Sequence, residues 1–436
     1  MNIPQITIPR VVIIGGGFAG IQLAKKLAKQ EVQVVMLDKH NYHTFQPLLY
    51  QVSTGGLEPD SIAYPIRKIL SRFPNFYFRL ANVTRIDPEA KKLETNIGPL
   101  KYDYLVLATG SKTNFFGNKE IELNSMIMKT VPEALNLRSL ILQNFEKALL
   151  TDSLDEQDAL MNFVIVGGGP TGVELAGALA EIKKGILPKD YPDLDTRRAQ
   201  INIVQSSDRV LDGMSEVASR KAEEFLEKMG VNIWKDTLVT GYDGDIVSTN
   251  SELTFRTATM IWAAGVEGAL IDGLKTSECL LPGNRLKVNE FLQVSHYKNI
   301  FAIGDIACMT SEDYPRGHPM VAQVAMQQGR NLGDNLLKIL ENKTDLKPFV
   351  YKDKGTMATI GRNKAVVDLP SWKFQGFFAW FVWMFVHLLS LIGFRNRAIV
   401  FVNWVYNYIR FDRAARLIIR PYKKETRSKD VKVVAK

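Results

Sequence analysis

The chain has 436 residues, 46% of them hydrophobic and 23% charged, with a formal net charge of +9 at pH 7. This length exceeds what one hydrophobic core usually supports, so we expect two domains and an additional segment. Its two cysteines, Cys279 and Cys308, exclude a disulfide framework and a C-x-x-C redox pair. The five histidines form no cluster at ligand spacing, so we expect no metal site.

The first predicted element is a buried strand at residues 11–14, followed by a helix that extends to about residue 30 and a second strand at 32–37. The turn before the helix reads Gly15-Gly16-Gly17-Phe18-Ala19-Gly20, a G-x-G-x-x-G pattern. Its glycines permit the tight turn, the approach of a pyrophosphate and close packing of helix on strand. Asp38 ends the second strand, where a carboxylate accepts a hydrogen bond from a ribose.

The same arrangement recurs further along the chain. A strand at residues 163–166 precedes Gly167-Gly168-Gly169-Pro170-Thr171-Gly172, a helix to about residue 182 and a strand at 201–204. Two copies of the motif predict two bound dinucleotides, as in an enzyme that brings one redox ring against another. Gln205 stands where the acid is expected; glutamine can bond to a ribose diol but does not repel a 2′-phosphate. We therefore expect weak discrimination against NADPH.

Three further strand-like runs, at residues 105–110, 261–265 and 300–305, complete the two units. We expect the last to return to the first unit. The predicted domains are therefore residues 1–114 with 291–350, residues 115–290, and a C-terminal membrane-associating region, 351–436. The predicted fold class is α/β, with two Rossmann-like dinucleotide-binding domains and a C-terminal helical membrane anchor.

The apolar run at residues 374–394 is long enough to span a bilayer. In the next segment, residues 398–419, polar residues at helical spacing predict a stripe on one helix face. Its members, with the residue that follows the segment, are Asn403, Asn407, Arg410, Arg413, Arg416 and Arg420.

The excess positive charge lies at the C-terminus. Twelve of the 55 Lys and Arg residues, but three of the 46 acidic residues, fall at positions 395–436. A tail with this charge on the far side of a membrane would oppose the positive-inside tendency. We therefore expect a monotopic hairpin, with Trp380, Trp383 and Trp404 at the interface and the tail near anionic headgroups. A buried core or dimerisation helix is the alternative, and we expect no nucleic-acid partner.

Together these residues resemble the two-dinucleotide flavoproteins and, within them, the type II NADH dehydrogenases, which are non-proton-pumping NADH:quinone oxidoreductases. The superfamily signals are the two glycine turns, Ala108-Thr109-Gly110 and Phe301-Ala302-Ile303-Gly304-Asp305. Three stretches are similar to the type II enzymes in particular: residues 43–52, 322–328 and 351–358. The resemblance covers the chain from about residue 11 to about residue 419.

The resemblance implies FAD, NADH (with NADPH as an alternative) and a membrane quinone, either ubiquinone or menaquinone. The candidate cofactor-binding residues are Gly15, Gly17, Phe18, Ala19, Gly20, Asp38, Lys39, Val83, Thr109, Gly110, Gly304, Asp305, Ala322, Gln323, Gly167, Gly169, Pro170, Thr171, Gly172, Glu174, Gln205 and Gly265. The candidate quinone-site residues are Gln46, Gln323, Gln327 and His387.

Glu174, Gln323 and Gln327 are the candidate catalytic residues. The two glutamines stand four apart and share a helix face, and Pro319 suits the first turn of that helix. Glu174, expected in the first turn of the second phosphate-binding helix, either handles a proton or is an ordinary first-turn acid. His387 either serves the quinone or is a hydrogen-bonded structural residue.

Two other functions remain as alternatives: a soluble-type reductase of a small electron-carrier protein, and a membrane-tethered redox-responsive binding protein. The apolar C-terminal region favours quinone reduction over the first, and two intact dinucleotide motifs argue against the second. Cys308 follows Asp305 as in sulfide:quinone oxidoreductases, but two cysteines are too few for that chemistry, so we interpret Cys308 as a packing residue. We expect a homodimer on the cytoplasmic face of the cell membrane.

Overall fold

The computed structural model describes residues 1–410, 413 and 415–423. Five of the twelve basic residues of the tail, Lys424, Arg427, Lys429, Lys432 and Lys436, therefore lie outside the described residues. The prediction that this part of the tail lies near headgroups falls on the same residues.

The strands of the described part are, in chain order, β1 (Arg10–Ile14), β2 (Gln33–Asp38), β3 (Tyr42–Thr44), β4 (Ala63–Pro65), β5 (Phe76–Leu80), β6 (Val83–Asp87), β7 (Lys92–Thr95), β8 (Leu100–Lys101), β9 (Tyr104–Leu107), β10 (Ser111–Thr113), β11 (Asn162–Val166), β12 (Gln200–Val204), β13 (Asn232–Trp234), β14 (Val239–Tyr242), β15 (Ile246–Thr249), β16 (Thr254–Arg256), β17 (Thr259–Trp262), β18 (Val266–Gly268), β19 (Leu280–Leu281), β20 (Arg285–Lys287), β21 (Ile300–Ala302), β22 (Ala307–Cys308), β23 (Thr356–Thr359), β24 (Ala365–Asp368) and β25 (Lys373–Gln375).

The helices of the same part are α1 (Phe18–Leu27), α2 (Leu49–Ser53), α3 (Pro59–Ile62), α4 (Ile66–Leu70), α5 (Lys119–Asn124), α6 (Val131–Ala148), α7 (Leu154–Met161), α8 (Pro170–Gly185), α9 (Leu187–Asp190), α10 (Glu216–Glu227), α11 (Thr276–Cys279), α12 (Ala322–Leu340), α13 (Phe377–Ser390) and α14 (Phe394–Arg410).

Two parallel sheets form the body of the protein. The first has the order β21-β9-β1-β2-β5 and the second the order β13-β12-β11-β17. Strand β21 pairs with β9, so the chain returns to the first sheet after completing the second. The antiparallel pair β10 and β18 joins the two units. Strands β1 and β11 are buried on both faces, which explains their unbroken runs of Val and Ile.

The glycine turns after β1 and β11 are nearly identical in geometry. Gly15 and Gly167 both have φ of +109°, a conformation that favours glycine. A Cβ added to Gly20 or Gly172 would lie 2.0 Å from the carbonyl oxygen of the first glycine of its own turn. Each helix can therefore pack directly on its strand, which points the helix N-terminus past the carboxyl end of the sheet.

Helix α12 begins later than the sequence predicts. Its first residue is Ala322, with Val321 as N-cap, so Pro319 precedes the helix instead of occupying its first turn. Helix α12 packs along α1 because Gly329 lies against the backbone of Ala19, where an added Cβ would be 2.4 Å from the carbonyl oxygen. This close packing brings the N-termini of α1 and α12 to the same edge of the first sheet.

The apolar run at residues 374–394 is divided among several elements and is not one helix. Its first residues belong to β25, Gly376 turns the chain with φ of +86°, α13 has 14 residues, and Gly393 turns the chain again with φ of +88°. Within the part of the chain that the structure describes, no helix is both long and apolar enough to cross a membrane.

The predicted polar stripe at residues 398–419 is wrong at its C-terminal end, because α14 stops at Arg410. The later arginines instead bind the body of the protein. Arg413 lies 2.6 Å from Glu181, and Arg416 lies 2.7 Å from Asp190. Arg420 donates to Asn136 over 3.1 Å. These contacts tie the segment after α14 to α8 and its neighbours.

The prediction of three interfacial tryptophans is also wrong for two of them. Trp383 and Trp404 are 1% and 9% exposed, and the ring of Trp383 lies against those of Tyr50 and Trp404. The Trp404 indole N–H donates to Gln51 over 2.8 Å. These side chains therefore anchor α13 and α14 to the body, while the opposite faces of both helices are exposed.

Candidate functional site

One cavity of about 1750 Å³ opens between the carboxyl ends of the two parallel sheets. It is lined by most of the candidate residues from the sequence: Gly15, Gly17, Phe18, Ala19, Asp38, Lys39, Gln46, Thr109, Gly110, Gly167, Gly169, Pro170, Thr171, Glu174, Gln205, Gly265, Gly304, Asp305, Ala322, Gln323, Gln327 and His387. We call this space the main cavity. Both glycine turns open into it, so two ligands bound there would meet.

Three candidates do not line the main cavity. Gly20 and Gly172 act through the close packing of helix on strand described above. Val83 is 8% exposed at the start of β6, away from the cavity wall.

Helices α1, α8 and α12 all begin at the main cavity without a side-chain cap. Their N-cap residues are Gly17, Gly169 and Val321, and none of the three first turns contains an acidic residue. The first N–H groups of a helix have no partner inside the helix and carry partial positive charge. Three such ends facing one cavity favour anionic ligands such as the pyrophosphate groups of dinucleotides.

The main cavity also has the space and the polar groups for such ligands beside the two glycine turns. A Cβ added to Gly17 or Gly169 would meet no atom within 4 Å, so the backbone there faces open space. The Thr109 hydroxyl lines the cavity and, among the described residues, is buried without a hydrogen-bond partner. The residues present therefore fit two dinucleotides, one at each glycine turn.

Asp38 and Gln205 occupy equivalent positions in the two units. Asp38 accepts hydrogen bonds from the backbone N–H of Gly16 and His40, over 2.6 and 2.7 Å. Gln205 accepts one from Gly168 over 2.7 Å, and its amide nitrogen donates to Ser207. Glutamine thus holds the second glycine turn as aspartate holds the first, but brings no negative charge.

Asp305 belongs to a small polar cluster that the motifs did not reveal. The Ser111 hydroxyl donates to Asp305 over 2.5 Å and accepts from the Lys129 ammonium over 2.8 Å. Lys129 lies 4.0 Å from Asp305, and burial lowers the pKa of its ammonium group. The buried Gln328 accepts from the Gly304 N–H over 2.7 Å and links the turn to α12. Sequence reasoning missed Ser111 and Lys129 because neither belongs to a recognisable motif. The capping box that follows Lys129 indicates only where α6 begins.

Glu174 lies in the second turn of α8, because the helix begins at Pro170, and the first-turn prediction is therefore wrong. The side chain is buried, and its carboxyl accepts a hydrogen bond from the Thr359 N–H over 3.4 Å. Burial raises the pKa of Glu174 to about 8, against smaller lowering effects of Thr359 and the Trp383 indole. Trp383 lies near this carboxyl without the geometry of a hydrogen bond. At neutral pH Glu174 is thus a protonated acid on the cavity wall.

Gln323 and Gln327 lie on one face of α12, as the sequence predicts. Their side-chain amides, however, are hydrogen-bonded to the backbone of residues 352–355. Gln327 donates to the Lys352 carbonyl over 2.9 Å and accepts from the Lys352 N–H over 3.0 Å. Gln323 pairs in the same way with Gly355 and Lys354. Their visible role is to fix residues 352–355 as part of the cavity wall.

His387 lies where α13 reaches the main cavity. Its Nδ1 is 2.7 Å from the Trp383 carbonyl, so this nitrogen carries the proton and Nε2 is an acceptor. Burial lowers the pKa of the imidazole to about 4. At neutral pH the ring can therefore accept a hydrogen bond but is not a ready proton donor. The ring stacks on Trp383 at 4.1 Å, and Gln46 lies exposed on the same wall of the cavity.

Comparison with known proteins agrees with this geometry. The pyridine nucleotide-disulphide oxidoreductase family matches residues 9–329, and the NDH2 C-terminal domain matches residues 354–413. The type II NADH:quinone oxidoreductase Ndh of Mycobacterium tuberculosis is 34% identical, over 92% of this chain and 88% of that protein. The mitochondrial internal alternative NAD(P)H-ubiquinone oxidoreductase A1 of Arabidopsis thaliana is 30% identical, over 92% and 84% respectively.

Among solved structures, NDH2 from Plasmodium falciparum in complex with NADH has a TM-score of 0.86 at 22% identity, covering 94% of this chain and 100% of that one. The sulfide:quinone oxidoreductase of Aquifex aeolicus has a TM-score of 0.69 at 20% identity, covering 92% and 95%. The fold is therefore shared with an enzyme named for another donor, so the fold alone does not identify the donor.

We expect Lys129→Met to weaken retention of the flavin that the sequence resemblance implies, because it removes the cation beside Ser111 and Asp305. Loss of a charged hydrogen-bond partner costs about 1–3 kcal/mol, which corresponds to roughly tenfold or more in affinity. The measurement is the flavin-to-protein ratio after serial dilution. Lys112→Met is the matched control, since the Lys112 side chain is 63% exposed and pairs with Glu267 outside the cavity wall. Equal retention by both variants would contradict the assignment.

Proposed function

This chain belongs to the type II NADH:quinone oxidoreductases, and from that premise we propose how its main cavity oxidises NADH and passes the electrons to a quinone. The observation that carries the proposal is the third side of the cavity. Val386 and Leu389 of α13 line it and are 39% and 51% exposed, and α13 also carries exposed Phe side chains such as Phe381 and Phe385. An apolar acceptor can therefore reach the two dinucleotide sites from the outside of α13.

The first glycine turn is assigned to FAD and the second to the nicotinamide dinucleotide. Asp38 and the N-terminus of α1 suit the adenosine end of FAD, and the cluster of Ser111, Lys129 and Asp305 suits its polar middle portion. When bound, the flavin supplies two-electron transfer between nicotinamide and quinone. The chain aligns the two rings, and the uncapped N-terminus of α12 stabilises negative charge that develops beside it.

The exposed faces of α13 and α14 suit attachment to a membrane. We call these residues the apolar face: Phe377, Phe378, Phe381, Phe385, Leu389, Phe394, Phe401, Val402, Val405 and Ile409, each at least 40% exposed. An apolar surface on two helices that are anchored by their other sides is typical of a monotopic protein. The apolar face disfavours the alternative of a soluble-type reductase of a carrier protein.

We infer a homodimer attached to the cytoplasmic side, where NADH is available; a second copy of the chain could cover part of the apolar face. A monomeric mass in mild detergent would contradict the dimer. Cleavage of the protein by protease added outside intact cells would contradict the cytoplasmic side.

Purified, detergent-solubilised protein is expected to oxidise NADH rapidly with a short-chain quinone and slowly without it.

Because Gln205 carries no charge, NADPH should serve with a kcat/KM within about tenfold of that for NADH, since tenfold corresponds to 1.4 kcal/mol. Gln205→Glu should lower kcat/KM for NADPH at least tenfold and leave NADH nearly unchanged. Gln200→Glu, an exposed change on the same strand, is the control. A rate of NADH oxidation that does not depend on quinone would contradict the proposed function. A strong preference for NADH over NADPH would contradict the role of Gln205.

Glu174 is proposed as the acid that supplies a proton during quinone reduction. Its carboxyl is protonated below a pKa of about 8, so quinone turnover should fall as the pH rises through that value. Glu174→Gln should lower kcat at least tenfold and remove this pH dependence. An unchanged profile would exclude the role.

The stability of Glu174→Gln provides the control for folding. Folding raises the pKa of this carboxyl, so the free energy of unfolding of the protein falls as the pH rises from the unfolded pKa of the group towards its folded value of about 8. The glutamine variant lacks this loss, so at pH 9 its unfolding midpoint should equal or exceed that of the unmodified protein. A lower midpoint would mean that slow turnover reflects damage to the fold.

Membrane attachment is tested by placing charge on the apolar face. Each exposed Phe that enters the interface contributes up to about 1.5–3 kcal/mol, so Phe381→Asp with Phe385→Asp should lower vesicle binding more than tenfold. The measurement is flotation with phosphatidylcholine and phosphatidylglycerol vesicles. Leu150→Asp with Leu154→Asp changes two exposed leucines on the second domain and should float normally. Equal flotation of both variants would contradict the proposed surface.

A further inference from the structure

A second, smaller cavity of about 120 Å³ lies among α2, α8, α13 and α14. Its wall includes aromatic rings together with the polar side chains of Gln51, Glu181, Asn407 and Arg413. Its rim includes Tyr408, which is 41% exposed. A water occupies about 30 Å³, so a cavity of this size that is lined by several polar side chains has room for more than one.

Trp383 links the walls of the two cavities. Its side chain is 1% exposed and lines the second cavity, while its indole lies near the Glu174 carboxyl, which lines the main cavity. Its ring also lies against that of Tyr50.

Tyr50 forms part of the partition between the two cavities. It lines both, whereas Glu174 lines the main cavity and Glu181 the second. Glu174 and Glu181 are seven residues apart on α8 and therefore share one helix face, with Ala178 between them in the wall of the second cavity. Tyr50 and Glu174 both line the main cavity. Burial raises the pKa of Tyr50, and the Glu174 carboxyl acts in the same direction once it has given up its proton.

A short hydrogen-bond chain fixes the direction of the Tyr50 hydroxyl. The Trp404 indole can only donate, and it donates to the Gln51 amide oxygen over 2.8 Å. The Gln51 amide nitrogen must therefore donate in turn, and it does so to the Tyr50 hydroxyl oxygen over 2.9 Å. The Tyr50 proton is left free for another acceptor, and among the described residues no hydrogen bond uses it.

We propose that Tyr50 relays protons from water in the second cavity to Glu174 on the wall of the main cavity. This inference rests on the proposed function, because NADH oxidation by a quinone takes up one proton from solvent. The hydride brings two electrons and one proton, and the quinone needs two of each to become a quinol. In the relay, the Tyr50 O–H passes its proton to the Glu174 carboxylate and regains one from a water in the second cavity.

The charges around the second cavity suit this role. Glu181 is paired with Arg413 over 2.6 Å and also accepts from the Arg362 N–H, and these groups keep the inner wall polar. Gln51 and Trp404 are positioning residues, since they act through Tyr50. The segment after α14 therefore contributes to proton delivery as well as to the contacts that hold the C-terminal region on α8.

The test uses the full-length flavin-loaded protein and Tyr50→Phe, which keeps the ring and removes the hydroxyl. The first readout is exchange of the Glu174 carboxyl proton for deuterium, followed by infrared spectroscopy and assigned through loss of the band in Glu174→Gln. Exchange should slow at least tenfold. The second readout is reoxidation of NADH-reduced protein by a short-chain quinone, which should also slow at least tenfold, while reduction by NADH is unchanged.

Ser53→Ala is the matched control, because it removes another buried hydroxyl from α2 that bonds to the Tyr50 carbonyl and lines neither cavity. Both rates should stay within twofold of those of the unmodified protein. Normal exchange and reoxidation in Tyr50→Phe would overturn the proposal. If that variant does not fold, Trp404→Phe frees the Gln51 amide and should slow both rates; unchanged rates would overturn the proposal equally.

Failure of the proposed function and failure of the proton relay give different results. An unmodified protein that is not reoxidised by quinone contradicts the proposed function, whereas carboxyl exchange still measures the proton route.

Discussion

The three uncapped helix N-termini at the main cavity are the constraint on which the rest of the structure depends. A helix end without a cap leaves several N–H groups unpaired, and these need an anion or water. The protein can aim α1 and α8 at one space because each begins directly after a glycine turn in which no Cβ fits. Helix α12 reaches the same space because Gly329 lets it lie against α1. Two dinucleotides bound at these ends are brought together by the backbone, before any side chain contributes.

Around this backbone frame, the side chains add charge and orientation. Asp38 and Gln205 hold their turns in the same way. Gln205 brings no charge to the turn assigned to the nicotinamide dinucleotide, where NADPH would carry its 2′-phosphate. Glu174 lies deep enough in α8 to keep its proton at neutral pH. The amides of Gln323 and Gln327 bind the backbone of residues 352–355, so the polar face that they form on α12 holds the cavity wall together. Helix α13 then closes the site and faces the membrane with its other side.

The sequence predicted what depends on local chemistry. Glycine turns, buried Val and Ile runs and the return of residues 300–302 to the first sheet all follow from patterns a few residues long. The length of α13 could not be predicted from the apolar run at 374–394, because it depends on the backbone turns at Gly376 and Gly393. Long-range contacts could not be predicted: Arg413 and Arg416 bind acids more than 200 residues away, Trp383 and Trp404 are buried by elements distant in sequence, and Lys129 carries no motif.

The central claim is that nicotinamide and flavin meet in the main cavity and that the electrons leave towards α13. Anaerobic rapid mixing tests this most directly: NADH is added to the flavin-loaded protein, flavin absorbance is followed, and a short-chain quinone is then added. The account predicts bleaching at least as fast as steady-state turnover, followed by full recovery with quinone. Bleaching slower than turnover, or a reduced flavin that quinone leaves unchanged, would contradict it.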